Sequence, residues 1–255
     1  MKPLKLLFVI LSICTSNNSY SQTSLFSAER FISSKGDTLN YRLLFPDYNP
    51  SRKYPLVIFL HGMGERGNDN TSQLKWGVMN FATDQNMKMY PSFVIAPQCP
   101  VTDEWSHNLS KGSTEFSLNP TPSKPMELLI SLIEKTIKNL PIDTNRIYIT
   151  GLSMGGMGTF DIIERYSNLF AAAVPVCGGG DISKANSIKH IPIWIFHGAE
   201  DISVSPNFSF KMVQALINVG SHPGYTQYPE VGHFSWIEAY SDPLMMAWLF
   251  RQHKN

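Results

Sequence analysis

One serine in the chain lies in a pattern that is typical of nucleophilic catalysis. Residues 151–156 read Gly-Leu-Ser-Met-Gly-Gly, a G-x-S-x-G pattern centred on Ser153. The apolar run 146–150 precedes it and helical spacing begins at Met154, so the serine falls on a sharp strand-to-helix turn. The flanking glycines avoid side-chain collisions in such a turn, and the helix start places a partial positive charge beside the hydroxyl. This context predicts that Ser153 is a nucleophile; the alternative is a glycine-rich helix start in which the serine is only an N-cap.

An acid and a histidine follow the serine in the order that this chemistry uses. Asp201 comes shortly after the apolar run 191–196, and His233 comes shortly after 225–228. Nucleophile, acid and histidine is the chain order of hydrolases whose serine lies on a strand-to-helix turn. A neutral imidazole takes a proton from a serine hydroxyl near pH 7, and a carboxylate holds that ring in the useful tautomer. The sequence therefore predicts His233 as the base and Asp201 as its acidic partner.

Two other carboxylates compete for the acidic role. Glu200 is adjacent to Asp201, and Asp181 follows another apolar run in the segment Cys-Gly-Gly-Gly-Asp. Asp201 is preferred because it directly precedes the turn at Val204 and Pro206, which would carry it toward the histidine. Five further histidines lie in loops or beyond strand ends and are interpreted as surface or packing residues: His107, His190, His197, His222 and His253.

A glycine-rich segment after the run 54–60 offers backbone donors. Residues 61–67 read HGMGERG. A developing oxyanion needs two N–H donors near one point, and the N–H groups of Met63 and Met154 are the candidates. His61 precedes the nucleophile and belongs to this loop, so we interpret it as a histidine that supports the loop rather than as the base.

Strand-like apolar runs alternate with helical spacing along most of the chain. The runs are 54–60, 92–96, 146–150, 171–176, 191–196 and 225–228, and the helical segments are 126–140, 154–166, 208–219 and 243–253. This alternation predicts an α/β fold with a mostly parallel sheet covered by helices on both faces. Two earlier runs, 30–33 and 39–44, predict a hairpin. In such sheets ligands bind beyond the carboxyl ends of the strands, where the three candidate residues lie.

The longest irregular stretch, 97–124, is expected to form a rim over a pocket. Trp105 and Phe116 lie in this stretch, and Trp236 follows the candidate base. Aromatic rings near a site can stack on a phenolic or sugar ring, so Trp105 and Trp236 are predicted pocket residues. The alternative is that Trp236 belongs to the core and the others cover the sheet.

Composition narrows the class of protein. The chain has 255 residues, with 21 Lys and Arg against 20 Asp and Glu, which gives a formal net charge of +1. This balance argues against a nucleic-acid partner, because proteins that neutralise phosphates carry a clear basic excess. Neither an HExxH motif nor a CxxC pair is present, so no metal or other cofactor is predicted.

The amino terminus has the layout of an export signal. Lys2 and Lys5 precede the short apolar run 6–14, and a polar stretch follows. The pattern predicts a cleaved signal peptide over 1–21 and a single mature domain over 22–255, secreted or periplasmic. A membrane anchor is disfavoured because the run is too short to span a bilayer, and no later stretch reaches transmembrane length.

A lipoprotein would use Cys14 as the acylated residue, but Ile13 occupies a position that normally holds a small residue. Tethering at Cys14 is therefore the less favoured form of export.

Together, these motifs resemble those of secreted α/β-hydrolase-fold serine esterases, similar to bacterial feruloyl and acetyl-xylan esterases and to dienelactone-hydrolase-like hydrolases. The resemblance covers about residues 39–250 and rests on HGMGERG, APQCP, GLSMGGMGT, CGGGD, HGAED and GHFSW. It implies the same nucleophile, acid, base and oxyanion donors. It also implies that the strands before Cys99 and Cys177 are not neighbours, so both are expected to be free thiols.

The expected activity is hydrolysis of a carboxylic ester through an acyl-enzyme, on acetyl, feruloyl or short-chain aryl esters of plant polysaccharide. Two alternatives remain. One is a peptidase, since the esterases resemble the prolyl-oligopeptidase-like group, although the large gating domain of those enzymes is missing here. The other is a non-catalytic binding protein, which is disfavoured because such proteins usually lack a member of the triad. The oligomeric state stays open.

Overall fold

The computed structural model describes residues 25–107 and 114–254. Its strands are β1 (Phe26–Ile32), β2 (Thr38–Leu44), β3 (Tyr54–Leu60), β4 (Phe93–Pro97), β5 (Ile142–Leu152), β6 (Ala172–Val176), β7 (Trp194–Gly198) and β8 (Gly224–Tyr228). They form an eight-stranded sheet in the order β1-β2-β4-β3-β5-β6-β7-β8. The pairs β1–β2 and β2–β4 are antiparallel, and the pairs from β4 to β8 are parallel. The predicted α/β-hydrolase fold with a mostly parallel sheet is confirmed.

Helices pack on both faces of this sheet. They are α1 (Asp84–Met89), α2 (Lys124–Asn139), α3 (Met154–Arg165), α4 (Ala185–Ile188), α5 (Pro206–Asn218), α6 (Trp236–Ser241) and α7 (Pro243–Phe250). Apolar residues of α2, α3, α4 and α5 fill one core cluster, and those of α6 and α7 fill the other. The short helices α1, α4 and α6 were not predicted, because none is long enough to show a periodic pattern.

Strand β3 shows why the sheet is buried on both sides. All seven of its residues are buried. Leu56, Ile58 and Leu60 belong to one core cluster, while Val57 and Phe59 belong to the other. Successive side chains of a strand point to opposite faces, so a continuous apolar run is what a doubly covered strand requires.

The predicted strands and helices are found, but several of their ends are shifted. Strands β1 and β5 begin four residues before the predicted runs, at Phe26 and Ile142, and α7 ends at Phe250 rather than at residue 253. The run 191–196 was expected to be a strand from its first residue, but β7 begins only at Trp194. Pro192 has no N–H to donate to a neighbouring strand, and Ile193 forms only an isolated bridge with Ala173.

Some expectations concern features outside the sheet itself. The predicted signal peptide, 1–21, and Cys14 lie outside the described residues. Within the described part of the chain, no helix combines the length and the apolar character that crossing a membrane requires. Cys99 and Cys177 are buried free thiols, as expected, and β3 and β5 separate the strands that precede them.

Candidate active site

Ser153 occupies a strained turn between β5 and α3. Its backbone has φ 53° and ψ −117°, a region that side-chain-bearing residues rarely adopt. A Cβ on Gly151 would lie 2.4 Å from the carbonyl oxygen of Gly155, and a Cβ on Gly155 would lie 2.0 Å from that of Leu60. Both positions therefore require glycine. The Ser153 side chain makes no capping hydrogen bond with the helix that follows, so its hydroxyl is free to face the cleft.

The structure brings Ser153 together with the predicted base and acid. The Ser153 Oγ lies 2.9 Å from His233 Nε2, and His233 Nδ1 lies 2.7 Å from Asp201 Oδ2. Side-chain exposure falls from 20% for His233 to 0% for Asp201. This geometry lets the imidazole accept the hydroxyl proton at one nitrogen while the buried carboxylate holds the other.

The other oxygen of Asp201 is fixed by the backbone. Its Oδ1 accepts hydrogen bonds from the N–H groups of Ser203 and Val204, both at 2.9 Å. The loop after β7 thus orients the carboxylate independently of the histidine. The loop after β8 reaches the same place because the ends of β7 and β8 pack closely, and a Cβ on Gly198 would lie 2.2 Å from the carbonyl oxygen of Gly232.

The two carboxylates that competed for the acidic role have other surroundings. Glu200 is exposed. Asp181 is buried, but its oxygens accept hydrogen bonds from the N–H groups of Leu118 and Ser183, both away from the imidazole. Asp181 therefore ties the long irregular segment to the end of β6.

His61 supports the glycine-rich loop, as the sequence indicated. It is buried, with Nδ1 2.6 Å from the carbonyl oxygen of Gly62 and Nε2 accepting the N–H of Cys99 at 2.9 Å. These partners place the ring proton on Nδ1. Burial lowers the pKa of His61 to about 4, so the ring is neutral at physiological pH.

The predicted oxyanion donors lie on two neighbouring segments, the loop after β3 and the start of α3. Met63 opens a 3-10 turn directly after β3, and Met154 is the first residue of α3, where an N–H has no partner within the helix. A Cβ on Gly62 would lie 2.8 Å from a side-chain carbon of Leu152, so the loop packs against the turn that carries the serine. The two segments are thus adjacent at the site.

Aromatic side chains wall the cleft above Ser153. Its volume is about 250 Å³, and it is lined by Gly62, Met63, Gly64, Glu65, Lys75, Trp76, Leu152, Ser153, His233, Phe234 and Trp236. The Phe234 ring centroid lies 5.8 Å from that of Trp76 and 4.7 Å from that of Trp236. The Trp236 ring also packs edge-on against His233 at 5.1 Å. A larger cavity of about 680 Å³ shares no lining residue with this cleft.

The prediction that Trp105 lines the pocket is wrong. Trp105 is completely buried, and its indole N–H donates to the carbonyl oxygen of His61 at 3.1 Å. It packs closely on α3, because a Cβ on Gly158 would lie 2.6 Å from the Cβ of Trp105. A buried indole needs an acceptor for its N–H, and the His61 carbonyl oxygen supplies one inside the core, so the ring can be buried completely. Phe116 is also buried and packs edge-on against Phe208. The segment 97–124 thus contributes core residues rather than only a rim.

Sequence reasoning missed two wall residues, Trp76 and Phe234, and two charged ones, Lys75 and Glu65. Phe234 directly follows the candidate base, and that adjacency was a usable signal. The others lie in segments without periodicity. Burial raises the pKa of Glu65, with Lys75 opposing the shift, and the Lys75 ammonium lies 5.1 Å from the centroid of the Trp76 ring.

One group of three side chains in the described residues could offer ligands to a metal ion: Cys177, Asp201 and His233. Asp201 and His233 already bond to each other, and burial raises the pKa of Cys177, which keeps it a neutral thiol. The chemistry of this set therefore suits proton transfer better than metal binding.

Comparison with known proteins identifies a matching family and several similar proteins. The family model described as phospholipase/carboxylesterase matches residues 49–242. A bifunctional acetylxylan esterase/xylanase from Neocallimastix patriciarum is 26% identical over 148 residues, which cover 58% of this chain and 19% of that protein. An acetylxylan esterase A from Emericella nidulans is 28% identical over 145 residues, covering 54% of this chain and 45% of that protein.

Among solved structures, one described as a thermostable esterase superposes with a TM-score of 0.85 at 43% identity. The superposition covers 91% of this chain and 64% of that one. This chain therefore spans less than two thirds of that esterase and about a fifth of the bifunctional relative.

Proposed function

Because the chain belongs to the phospholipase/carboxylesterase family and has the α/β-hydrolase fold, we propose that it is a serine esterase with Ser153, His233 and Asp201 as its catalytic residues. The observation that carries this proposal is the continuous contact from the Ser153 hydroxyl through the imidazole to the buried carboxylate, at 2.9 and 2.7 Å. A serine hydroxyl is a weak nucleophile, and this arrangement removes its proton as it attacks.

The reaction runs in two halves. His233 takes the Ser153 proton while the serine oxygen bonds to the ester carbonyl carbon, and the negative charge passes to the carbonyl oxygen. The N–H groups of Met63 and Met154 stabilise that oxyanion. The tetrahedral intermediate then expels the alcohol, which receives the proton from His233 and leaves an acyl-enzyme. Water, deprotonated by the same imidazole, then attacks the acyl carbon. The second tetrahedral intermediate expels the Ser153 oxygen, which takes the proton back from His233, and the acid is released.

The proposed substrates are acetyl, feruloyl or short-chain aryl esters of plant polysaccharide. Phe234 and Met63 at the cleft are 54% and 50% exposed, so apolar surface is available to a bound ring. Trp76 adds an indole near the nucleophile, whereas Trp236 is only 5% exposed and belongs to the core, where it packs against Phe234 and His233. Acetylxylan esterases among the relatives support the acetyl-ester part of the proposal.

Turnover of p-nitrophenyl acetate tests the catalytic assignment. Replacing the nucleophile, Ser153→Ala, should lower kcat by up to about 10⁶-fold and abolish labelling by a fluorophosphonate probe. The matched control is Ser187→Ala, which changes an exposed serine that does not line the cleft and should leave both readouts unchanged. Equal rates for the parent and Ser153→Ala would refute the proposal.

A substrate panel then separates the remaining possibilities. Acetyl-xylan, methyl ferulate and short-chain aryl esters should be hydrolysed with different kcat/KM values, and the largest value identifies the acyl group that the cleft favours. Cleavage of short proline peptides without turnover of any ester would favour a peptidase instead.

We also propose that the chain is exported as a single domain, 22–255, after removal of residues 1–21. The basic start and short apolar run of the amino terminus support this. Sequencing the amino terminus of the protein purified from an exporting host should give Gln22. Acylation at Cys14 would instead indicate a tethered lipoprotein.

A further inference from the structure

A second histidine contacts the proposed catalytic acid. His197, near the carboxyl end of β7, is completely buried, and its Nε2 lies 3.2 Å from Asp201 Oδ2. The same nitrogen lies 3.0 Å from the carbonyl oxygen of Val204. The Asp201 oxygen that lies 2.7 Å from His233 Nδ1 therefore also lies beside a second imidazole.

The partners of His197 decide where its proton lies. Its Nε2 faces a carboxylate and a carbonyl, both of which only accept, so Nε2 must carry hydrogen. Its Nδ1 lies 2.7 Å from the hydroxyl of Ser209, a buried residue of α5. Burial lowers the pKa of His197, which disfavours the charged ring, and the Ser209 hydroxyl donates its own hydrogen to the carbonyl oxygen of Gly178.

Ser209 connects this histidine to the turn that carries the nucleophile. Its hydroxyl also lies 2.8 Å from the carbonyl oxygen of Gly178. A Cβ on Gly178 would lie 2.5 Å from the backbone of Gly156, so Gly178 packs directly on the first turn of α3. The contacts run from α3 through Gly178, Ser209 and His197 to Asp201, and back through the base to the nucleophile.

We propose that His197 is a positioning residue, whose Nε2–H fixes Asp201 Oδ2 and limits the negative charge that this oxygen presents to His233. The inference rests on the proposed catalytic roles of these residues. Without the second donor, Oδ2 is a stronger acceptor for the imidazolium of His233, and only the two backbone donors on Oδ1 and His233 itself orient the carboxylate.

Within residues 25–107 and 114–254, three titratable groups interact with the carboxylate. They are the two imidazoles and the thiol of Cys177, and burial raises the pKa of that thiol, so it stays neutral. A change in the acid limb of the pH profile after substitution at 197 therefore reports on the two histidines.

Two substitutions at position 197, by Gln and by Asn, separate the effect of the N–H donor from the effect of the size of the histidine ring. Gln at 197 can place an amide N–H where Nε2–H was, while Asn can reach only the position of Nδ1. We expect His197→Asn to lower kcat about tenfold with KM nearly unchanged, since the acid keeps its other donors and full loss of a triad acid costs about 10⁴-fold. The acid limb of kcat/KM should move upward by about half a pH unit, because the remaining imidazole becomes more basic. His197→Gln should keep most of the activity and the parental limb.

The control is His190→Asn, an exposed histidine outside the cleft, which should behave as the parent. Parental kcat and acid limb in folded His197→Asn would overturn the inference, as would equal losses in the Asn and Gln variants with an unmoved limb. If His197→Asn shows no melting transition, Ser209→Ala is used in its place. The acid limb of its kcat/KM profile should then move upward by less than half a pH unit, and an unmoved limb would contradict the inference. Undiminished turnover by Ser153→Ala would instead refute the proposed function itself.

Discussion

Replacing the proposed acid by its isosteric amide, Asp201→Asn, should trap the base in the wrong tautomer. The two sides of this carboxylate differ: Oδ1 accepts N–H groups from Ser203 and Val204, while Oδ2 faces the ring nitrogens of His233 and His197. An amide has one oxygen and one NH₂ group. Its oxygen is held on the side of the two backbone donors, and its NH₂ then meets two imidazole nitrogens that were donating.

His233 can meet an NH₂ group only with an unprotonated Nδ1. Its proton then moves to Nε2, which faces the Ser153 hydroxyl at 2.9 Å and can no longer accept from it. The productive tautomer survives only if the amide flips, which turns its NH₂ group toward the two backbone N–H groups and leaves them without an acceptor, at a cost of about 2–6 kcal/mol. At most about one molecule in 30 is then competent. We therefore expect kcat to fall between about 30-fold and 10⁴-fold.

The assay is the initial rate of p-nitrophenyl acetate hydrolysis at saturating substrate, with Ser153→Ala as the baseline and a melting curve to show that the variant folds. Glu200→Gln removes the adjacent, exposed charge and should stay within about twofold of the parent, since exposed charges act weakly. A folded Asp201→Asn variant that keeps kcat within tenfold of the parent would refute the tautomer argument.

Three further predictions follow from the geometry. Gly155→Ala should abolish activity and lower the melting temperature sharply, because the added Cβ would lie 2.0 Å from a backbone oxygen of β3. The control is Gly64→Ala, whose added Cβ has no neighbouring atom within 4 Å, so this variant should melt like the parent. Phe234→Ala should raise KM for aryl esters several-fold more than for small acetyl esters, while substitution of the fully exposed Ile202 by Ala should alter neither. The unfolding free energy should fall by about 3 kcal/mol as pH drops from 6.5 to 4, because the pKa of His61 is about 4 when folded and the unfolded chain binds the extra proton. In His61→Gln that part of the pH dependence should be missing from denaturant titrations.

Local pattern was sufficient to predict the turn that carries Ser153. A strand, a pair of glycines and a helix must follow one another within a few residues, and each leaves its own signature in the sequence. Asp201 and His233 were predictable for a related reason: each follows a strand, and parallel strands end at the same edge of the sheet. The choice of acid needed more, because Asp181 follows β6 at that same edge and differs only in its partners.

Burial within irregular segments could not be predicted in the same way. Trp105 and Trp76 both lie in aperiodic stretches, yet one is fully buried and the other lines the cleft. The difference depends on what each ring meets: the backbone of His61 accepts the indole N–H of Trp105, while Trp76 packs against Phe234. Neither partner is close in sequence, and no repeating pattern marks such a contact in advance.

His197 shows that the interpretation of a histidine depends on its hydrogen-bond partners rather than on its place after a strand. His107, His190, His222 and His253 are exposed, as the sequence suggested, but His197 is enclosed beside a carboxylate. The hydrogen-bond partners of its two nitrogens are the carbonyl oxygen of Val204 and the hydroxyl of Ser209, and Asp201 Oδ2 lies 3.2 Å from Nε2. Since only acceptors face Nε2, that nitrogen carries a hydrogen beside both the Val204 carbonyl and the acid. On the proposed role of His197, substitution of either His197 or Asp201 should therefore move the acid limb of the pH profile.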